Sequence, residues 1–383
     1  MLSDARAVES AGRLELYVTA VPTPGGSPHD QAREIFTQVR QILSDNNARL
    51  LQERVFASQD AMAIIPSIRT EVYGALDDGV APSWLLTPRT GIGEVAGVQV
   101  HALRTDSPIL IVELAGRPTG RVVKWGDCRY VAVSGLVPSV NSSLDAAALS
   151  LLEDAESVLR RTGSEFGSLT RTWFWLGDIL SWYDVFNRVR TGFFAERGMI
   201  GPQAGKEDLP ASTGIGMWPN GGAACALDFI MVTGPGRLNT NLLAAGNQDS
   251  AFKYGSAFSR AAQAATPAGE TVYVSGTAAI GADGLTQHAG DPEAQIRSTI
   301  ANVRAVLTER DCADSDVVHA IAYCKTPEVE RVWERLQAEI GWPFVTVIAD
   351  ICRDDLLFEV EATAVHGASR LAFLPLRDSF SGS

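Results

Sequence analysis

Residues 271–280 read TVYVSGTAAI, and residues 129–138 read RYVAVSGLVP. Both are runs of β-branched, aromatic and small residues carrying Val-Ser-Gly at the strand's end. Their surroundings match too. The first is followed by DPEAQIRSTIANVRAVLTERD (291–311), where Ile296, Ile300, Val303 and Leu307 recur at helical spacing. The second is followed by SLDAAALSLLEDAESVLRRTG (143–163). The strand VVHAIAYCKT (317–326) then answers to LTRTWFWLGD (169–178), and the helix PEVERVWERLQAEIG (327–341) to SWYDVFNRVRTGFFAERG (181–198). Each series closes on two strands: FVTVIADI and LLFEVEATAV in one, ASTGIG and ACALDFIMV in the other. The order strand, helix, strand, helix, strand, strand is thus written twice.

A fainter third copy fills the first hundred residues. ELYVTAVPTP (15–24) is its first strand and turn, DQAREIFTQVRQILSDN (30–46) its first helix, and AMAIIPSIRTEVYGAL (61–76) its second. PSWLLTP and GVQVHAL close it. Boundaries are expected near Thr105–Pro108 and in the Gly-rich stretch TGPGRLNT (233–240). The expected units are therefore 1–107, 108–236 and 237–383, each about the length of a small domain.

Composition narrows the function. With 383 residues, 46% of them apolar, the chain has enough apolar material for several cores. A net charge of -13 argues against nucleic acid or an anionic membrane as partner. No run of about 18 apolar residues predicts a span, and the polar start MLSDARAVES does not read as a secretory leader. Five dispersed cysteines without CxxC spacing predict reduced thiols and a cytoplasmic setting. Scattered histidines and the absence of GxxxxGK[ST] or GxGxxG predict neither metal nor nucleotide cofactor.

YVSGTAAIGADG, the helix ending NVRAVL, and FEVEATAV together resemble the Rid (YjgF-type) family. That resemblance implies an α+β, chorismate-mutase-like unit, a mixed sheet backed by two helices. It also implies three such units packed as a ring with clefts between neighbours. A chain with tandem copies would build the ring alone, as a monomeric pseudo-trimer or a small homo-oligomer of such rings. GVQVHAL, RTWFWLGDILSWYDVFNRVR, PASTGIG, YGSAFSRA and CRDDLLFEVEA are similar to chorismatases, which hydrolyse the enolpyruvyl ether of chorismate. In that family a catalytic glutamate follows a cysteine by seven residues, which here implies Glu359 and Cys352.

Glu359 and Glu361 share one face of an apolar strand. The positions aligned with Glu359 are Gln99 and Asp228, polar residues in apolar closing strands. A carboxyl walled by apolar groups keeps its proton to higher pH and suits general acid–base work. Glu361 reads instead as a structural neighbour. Arginine forks suit a dicarboxylate, and Arg260, Arg353 and Arg171 are the candidates. Tyr254, Phe258 and Ser259 belong to the short loop that lines the cleft in Rid proteins, and Trp173 reads as cleft wall or core. Cys352 reads as a tuner of the reaction or as a small buried hydrophobe.

Two departures temper the match. Imine-hydrolysing Rid proteins carry an arginine after a proline on the penultimate strand, where this chain reads WPFVTVIAD. No Lys or Arg falls between Ile215 and Ala226, which predicts a less cationic pocket. The expected activity is hydrolysis of chorismate or a related carboxylated ring. The alternatives are a Rid-like hydrolase or cyclodehydratase on an imine or enamine, and a non-catalytic small-molecule binder.

Overall fold

Helix starts are written locally. Ser27-Pro28, Asp291-Pro292 and Thr326-Pro327 each place a capping side chain before a proline that needs no N–H partner. The caps accept from the amides of Asp30, Ala294 and Val329. The computed structural model describes residues 3–201, 207–234 and 240–371.

The first sheet takes β1 (Ser3–Ser10), β2 (Arg13–Ala20), β3 (Arg49–Ala57), β4 (Ser83–Leu86) and β5 (Val95–Arg104). Behind it lie α1 (Pro28–Asp45), α2 (Gln59–Met62) and α3 (Ile65–Tyr73). The second takes β6 (Leu110–Leu114), β7 (Arg117–Trp125), β8 (Cys128–Leu136), β9 (Leu169–Leu176), β10 (Ala211–Ile215) and β12 (Cys225–Thr233). It is backed by α4 (Leu144–Arg161) and α5 (Ile179–Glu196), and β11 (Trp218–Pro219) leaves it to pair with β4. The third takes β13 (Thr240–Leu242), β14 (Ala261–Ala265), β15 (Glu270–Ala278), β16 (Val317–Cys324), β17 (Phe344–Ile348) and β18 (Phe358–Val365). Its helices are α6 (Pro292–Thr308) and α7 (Pro327–Leu336), and β19 (Ser369–Arg370) returns to β1.

The strand orders repeat: β4-β3-β5-β2, β10-β9-β12-β8 and β17-β16-β18-β15. In each, the first pair is parallel and the rest antiparallel. The faint first copy is therefore a full one. The single helix expected over 61–76 is broken into two, because Pro66 opens a new first turn rather than continuing the old one. The β1 hairpin, turning through left-handed Ala11 and Gly12, was not anticipated.

Each helix pair buries an apolar stripe on its own sheet: Phe36 and Val39 on the first, Leu151 and Phe186 on the second, Ile300 and Val303 on the third. The other faces of the three sheets meet in a fourth, shared core containing Phe56, Trp175, Tyr273 and Tyr323. Neighbouring units touch cyclically, β3 on β8, β10 on β15 and β17 on β5. The result is an α+β pseudo-trimer with helices outside and sheets inside.

Candidate active site

The Val-Ser-Gly stretches mark β-bulges. Register slips between Val274 and Thr277 where β15 pairs β18, and between Leu227 and Phe229 where β12 pairs β8. At the first bulge Ser275 accepts from the Ser212 amide at 2.7 Å and donates to the Ser259 carbonyl at 2.5 Å, stitching two units together. Gly276 follows, and any Cβ there would collide with the Glu359 carboxyl. The bulge thus clears room for that side chain.

Glu359 stands opposite Tyr323 and Ala278 on β18, faces a cleft of about 190 Å³ between the middle and last units, and is 5% exposed. Burial, then the charge of Glu361, push its carboxyl up to about 8 against the pull of Arg171 and Arg260. Tyr183 and Arg190 of α5 form the opposing wall, with Ser212 and Gly214 of β10. Ser256, Phe258, Arg260, Cys352 and Arg353 belong to the last unit's wall.

Three arginines therefore line the cleft. The Arg260 guanidinium donates to the Asp249 carbonyl at 3.2 and 3.0 Å, and burial pushes it down to about 10. Arg353 donates to the Gly284 carbonyl at 2.7 Å. Arg190, 1% exposed, donates to Asn187 Oδ1 at 2.7 Å and lies near the rings of Phe186 and Phe258. Its Nε has no hydrogen-bond partner among the described residues, and burial lowers its pKa. Its partners there are neutral. Arg190 was not singled out in the sequence, although it ends the matched stretch 171–190; it shares the buried face of α5 with Trp182 and Phe186 at four-residue spacing. The cationic lining comes from three separate segments rather than from 215–226. That stretch lies elsewhere, with Met217 buried in the shared core and Trp218 on β4 at the first seam.

The remaining expected residues fall outside the cleft or beside it. Arg171 and Trp173 point at Glu361: Arg171 Nη2 at 2.9 Å, Trp173 Nε1 at 2.6 Å, with Thr213 Oγ1 at 2.5 Å. Ser259 is fully buried and donates to the Leu209 carbonyl at 2.7 Å; Ser256 is the serine that reaches the cleft. The side chain of Tyr254 lies outside the described residues. Cys352 is half-buried beside Glu359, and burial pushes its thiol up to about 12. Lys325 bonds the carbonyls of Arg353 and Asp354 and so shapes the loop before β18.

The two equivalent polar positions are engaged in the fold. Asp228 accepts from Arg54 Nε at 2.7 Å, Ser83 Oγ at 2.5 Å and the Gly135 amide at 2.8 Å. Gln99 donates to the Ala320 carbonyl at 2.9 Å. Among the described residues, Cys312, Asp316 and His366 form one group with ligand atoms within 4.8 Å, at the opposite end of β18 from Glu359. No described helix is long and apolar enough to cross a membrane.

Residues 250–366 match the family model described as Endoribonuclease L-PSP. A chorismatase structure superposes with TM-score 0.62 at 19% identity, over 93% of this chain and 99% of that one. A member of the YjgF/YER057c/UK114 family from Mycobacterium tuberculosis is 25% identical over 33% of this chain and 98% of its own, with TM-score 0.26. A Rid-family protein from Yersinia pestis is 22% identical over 32% of this chain and 97% of its own, with TM-score 0.28. No curated protein sequence matches the chain.

The architecture is thus that of tandem Rid-type (YjgF) units closed into a ring. Over 93% of its length the chain shares the fold of a chorismatase structure, and its last unit matches the Endoribonuclease L-PSP model, in line with the fold that the motif resemblance implies.

Proposed function

We propose that the chain is a chorismatase-like enzyme that cleaves the enolpyruvyl ether of chorismate, or of a related carboxylated ring, and releases pyruvate. The observation that carries this reading is a buried carboxyl, Glu359, facing a cleft that three arginines also line, with burial pushing its pKa above the ordinary carboxyl value. Glu359 gives its proton to the methylene carbon of the enol ether, leaving an oxocarbenium ion at the neighbouring carbon. Water adds there, and the Glu359 carboxylate takes the proton back. Collapse of the hemiketal moves a proton to the ether oxygen and frees pyruvate and the ring alcohol. Water is consumed and the enzyme is regenerated.

Arg190, Arg260 and Arg353 bind the carboxylates of the ligand. The Arg190 guanidinium is buried and meets only neutral hydrogen-bond partners among the described residues, and an anionic substrate supplies a counter-charge there. Phe258 packs against the ring, and the neutral Cys352 thiol borders the reacting carbon. An imine-type carboxylate clamp on β17 has no residue to form it: Val345 is buried and Thr346 accepts from Trp333 Nε1 at 2.9 Å.

The test is incubation with chorismate followed by a pyruvate assay. Wild type should release pyruvate, and Glu359→Gln should lower the rate by about 10²–10⁴-fold. Binding of chorismate without pyruvate release would instead mark a binder, and turnover unchanged in Glu359→Gln would remove this residue from the chemistry.

A further inference from the structure

Glu361 lies two residues beyond Glu359 on the same strand face, yet it meets different surroundings. The middle unit closes on it with three donors, Arg171, Trp173 and Thr213, each no more than 2% exposed. The Trp173 indole is itself held between two guanidinium groups, Arg54 at 3.7 Å and Arg171 at 4.4 Å from the ring centroid. The fold does not demand an acid here. The aligned positions in the other two closing strands are His101 and Ile230. An acid appears only in the strand whose neighbour faces the cleft.

We propose that Glu361 is a positioning residue for Glu359: the three donors of the middle unit pin a negative charge beside it, and that charge sets the pH range over which Glu359 keeps its proton. The inference rests on the reading of Glu359 as proton donor. The groups facing Glu359 come from every side. They are Glu361 on its own strand, Arg171 on β9, Tyr323 on β16, Tyr183, Asp184 and Arg190 on α5, Arg260 before β14, and Cys352 and Arg353 before β18. Arg171 and Arg260 pull toward the carboxylate, and Glu361 opposes them. Neutralising Glu361 removes the opposition and also frees Arg171 to act on Glu359.

The experiment titrates Glu359 directly, by carbon-13 NMR of carboxyl-labelled glutamate, with the resonance assigned by its loss in Glu359→Gln. In wild type the midpoint should lie well above the ordinary carboxyl value, at about 8. In Glu361→Gln it should fall by about one pH unit or more, while Glu361→Asp, which keeps the charge, should stay near wild type. The alkaline limb of pyruvate release should move down with it. Trp173→Phe is the milder variant: it strips one donor from Glu361, leaves the charge less compensated, and should move the midpoint up. An unmoved midpoint in Glu361→Gln, or in Trp173→Phe if the former does not fold, overturns the proposal. The two readings separate cleanly. A moved midpoint without pyruvate release would keep the coupling and remove the reaction, and pyruvate release with an unmoved midpoint would do the reverse.

Discussion

Asp228 and Glu359 occupy one position of two equivalent strands, opposite Trp173 and Tyr323 respectively, and meet opposite fates. Asp228 is clamped by Arg54 and Ser83 across the first seam and by the Gly135 amide of its own sheet. Glu359 faces a cavity across the next. The same ring geometry has therefore produced one acid engaged in the fold and one that faces a cavity.

Removing the structural acid should cost stability. Asp228→Ala leaves the Arg54 guanidinium, 5% exposed, without its carboxylate. A broken buried pair costs about 3–5 kcal/mol. The expected outcome is a lower denaturant midpoint with an unchanged slope, read by chemical unfolding.

Glu359 makes stability depend on pH, with a sign that can be worked out. Its folded value of about 8 lies above the ordinary carboxyl value, so the folded state holds the proton more tightly than the unfolded chain. That stabilisation is complete below the unfolded value and is lost as pH rises to about 8. Glu359→Gln carries no such loss. At pH 9 its Tm should exceed that of wild type by roughly 2–4 °C, and near pH 4 the difference should shrink, read by calorimetry.

Arg190 offers a double readout. Arg190→Met removes a buried guanidinium that has only neutral partners among the described residues, so the ligand-free protein should melt at the same or a higher temperature. The same substitution should raise KM for chorismate by about 10–100-fold, since one charge-assisted contact is worth about 1.5–3 kcal/mol. Arg190→Lys should not restore KM, because an ammonium lacks the planar fork.

Gly276 tests the space at the bulge. A Cβ there collides with the Glu359 carboxyl, so Gly276→Ala should displace the acid while leaving the sheet paired. We expect about 10²-fold lower turnover from a misplacement of this kind, with near-native circular dichroism.

Local signals carried most of the fold. Helical spacing in 291–311, the proline caps and the paired Val-Ser-Gly stretches each depend on neighbours a few residues apart, and such patterns survive in a linear reading. The strand pairing β1–β2 and the split at Pro66 were less legible, since a short hairpin and a broken helix leave weak periodicity. The acid at 359 was visible as a polar residue in an apolar run, and Cys352 only through what the family resemblance implies.

What the sequence by itself determined, then, was the threefold repetition, the α+β layering and the strand that bears the acids. Only the tertiary structure decided which donors cage Glu361 and Asp228 and which arginines share the cleft with Glu359. Arg171 is 190 residues from Glu361, Arg54 is 174 from Asp228, and Arg190 reaches the cleft from a helix of another unit. Charges that meet across a seam are brought together by closure of the ring, and periodicity along one strand holds no record of them.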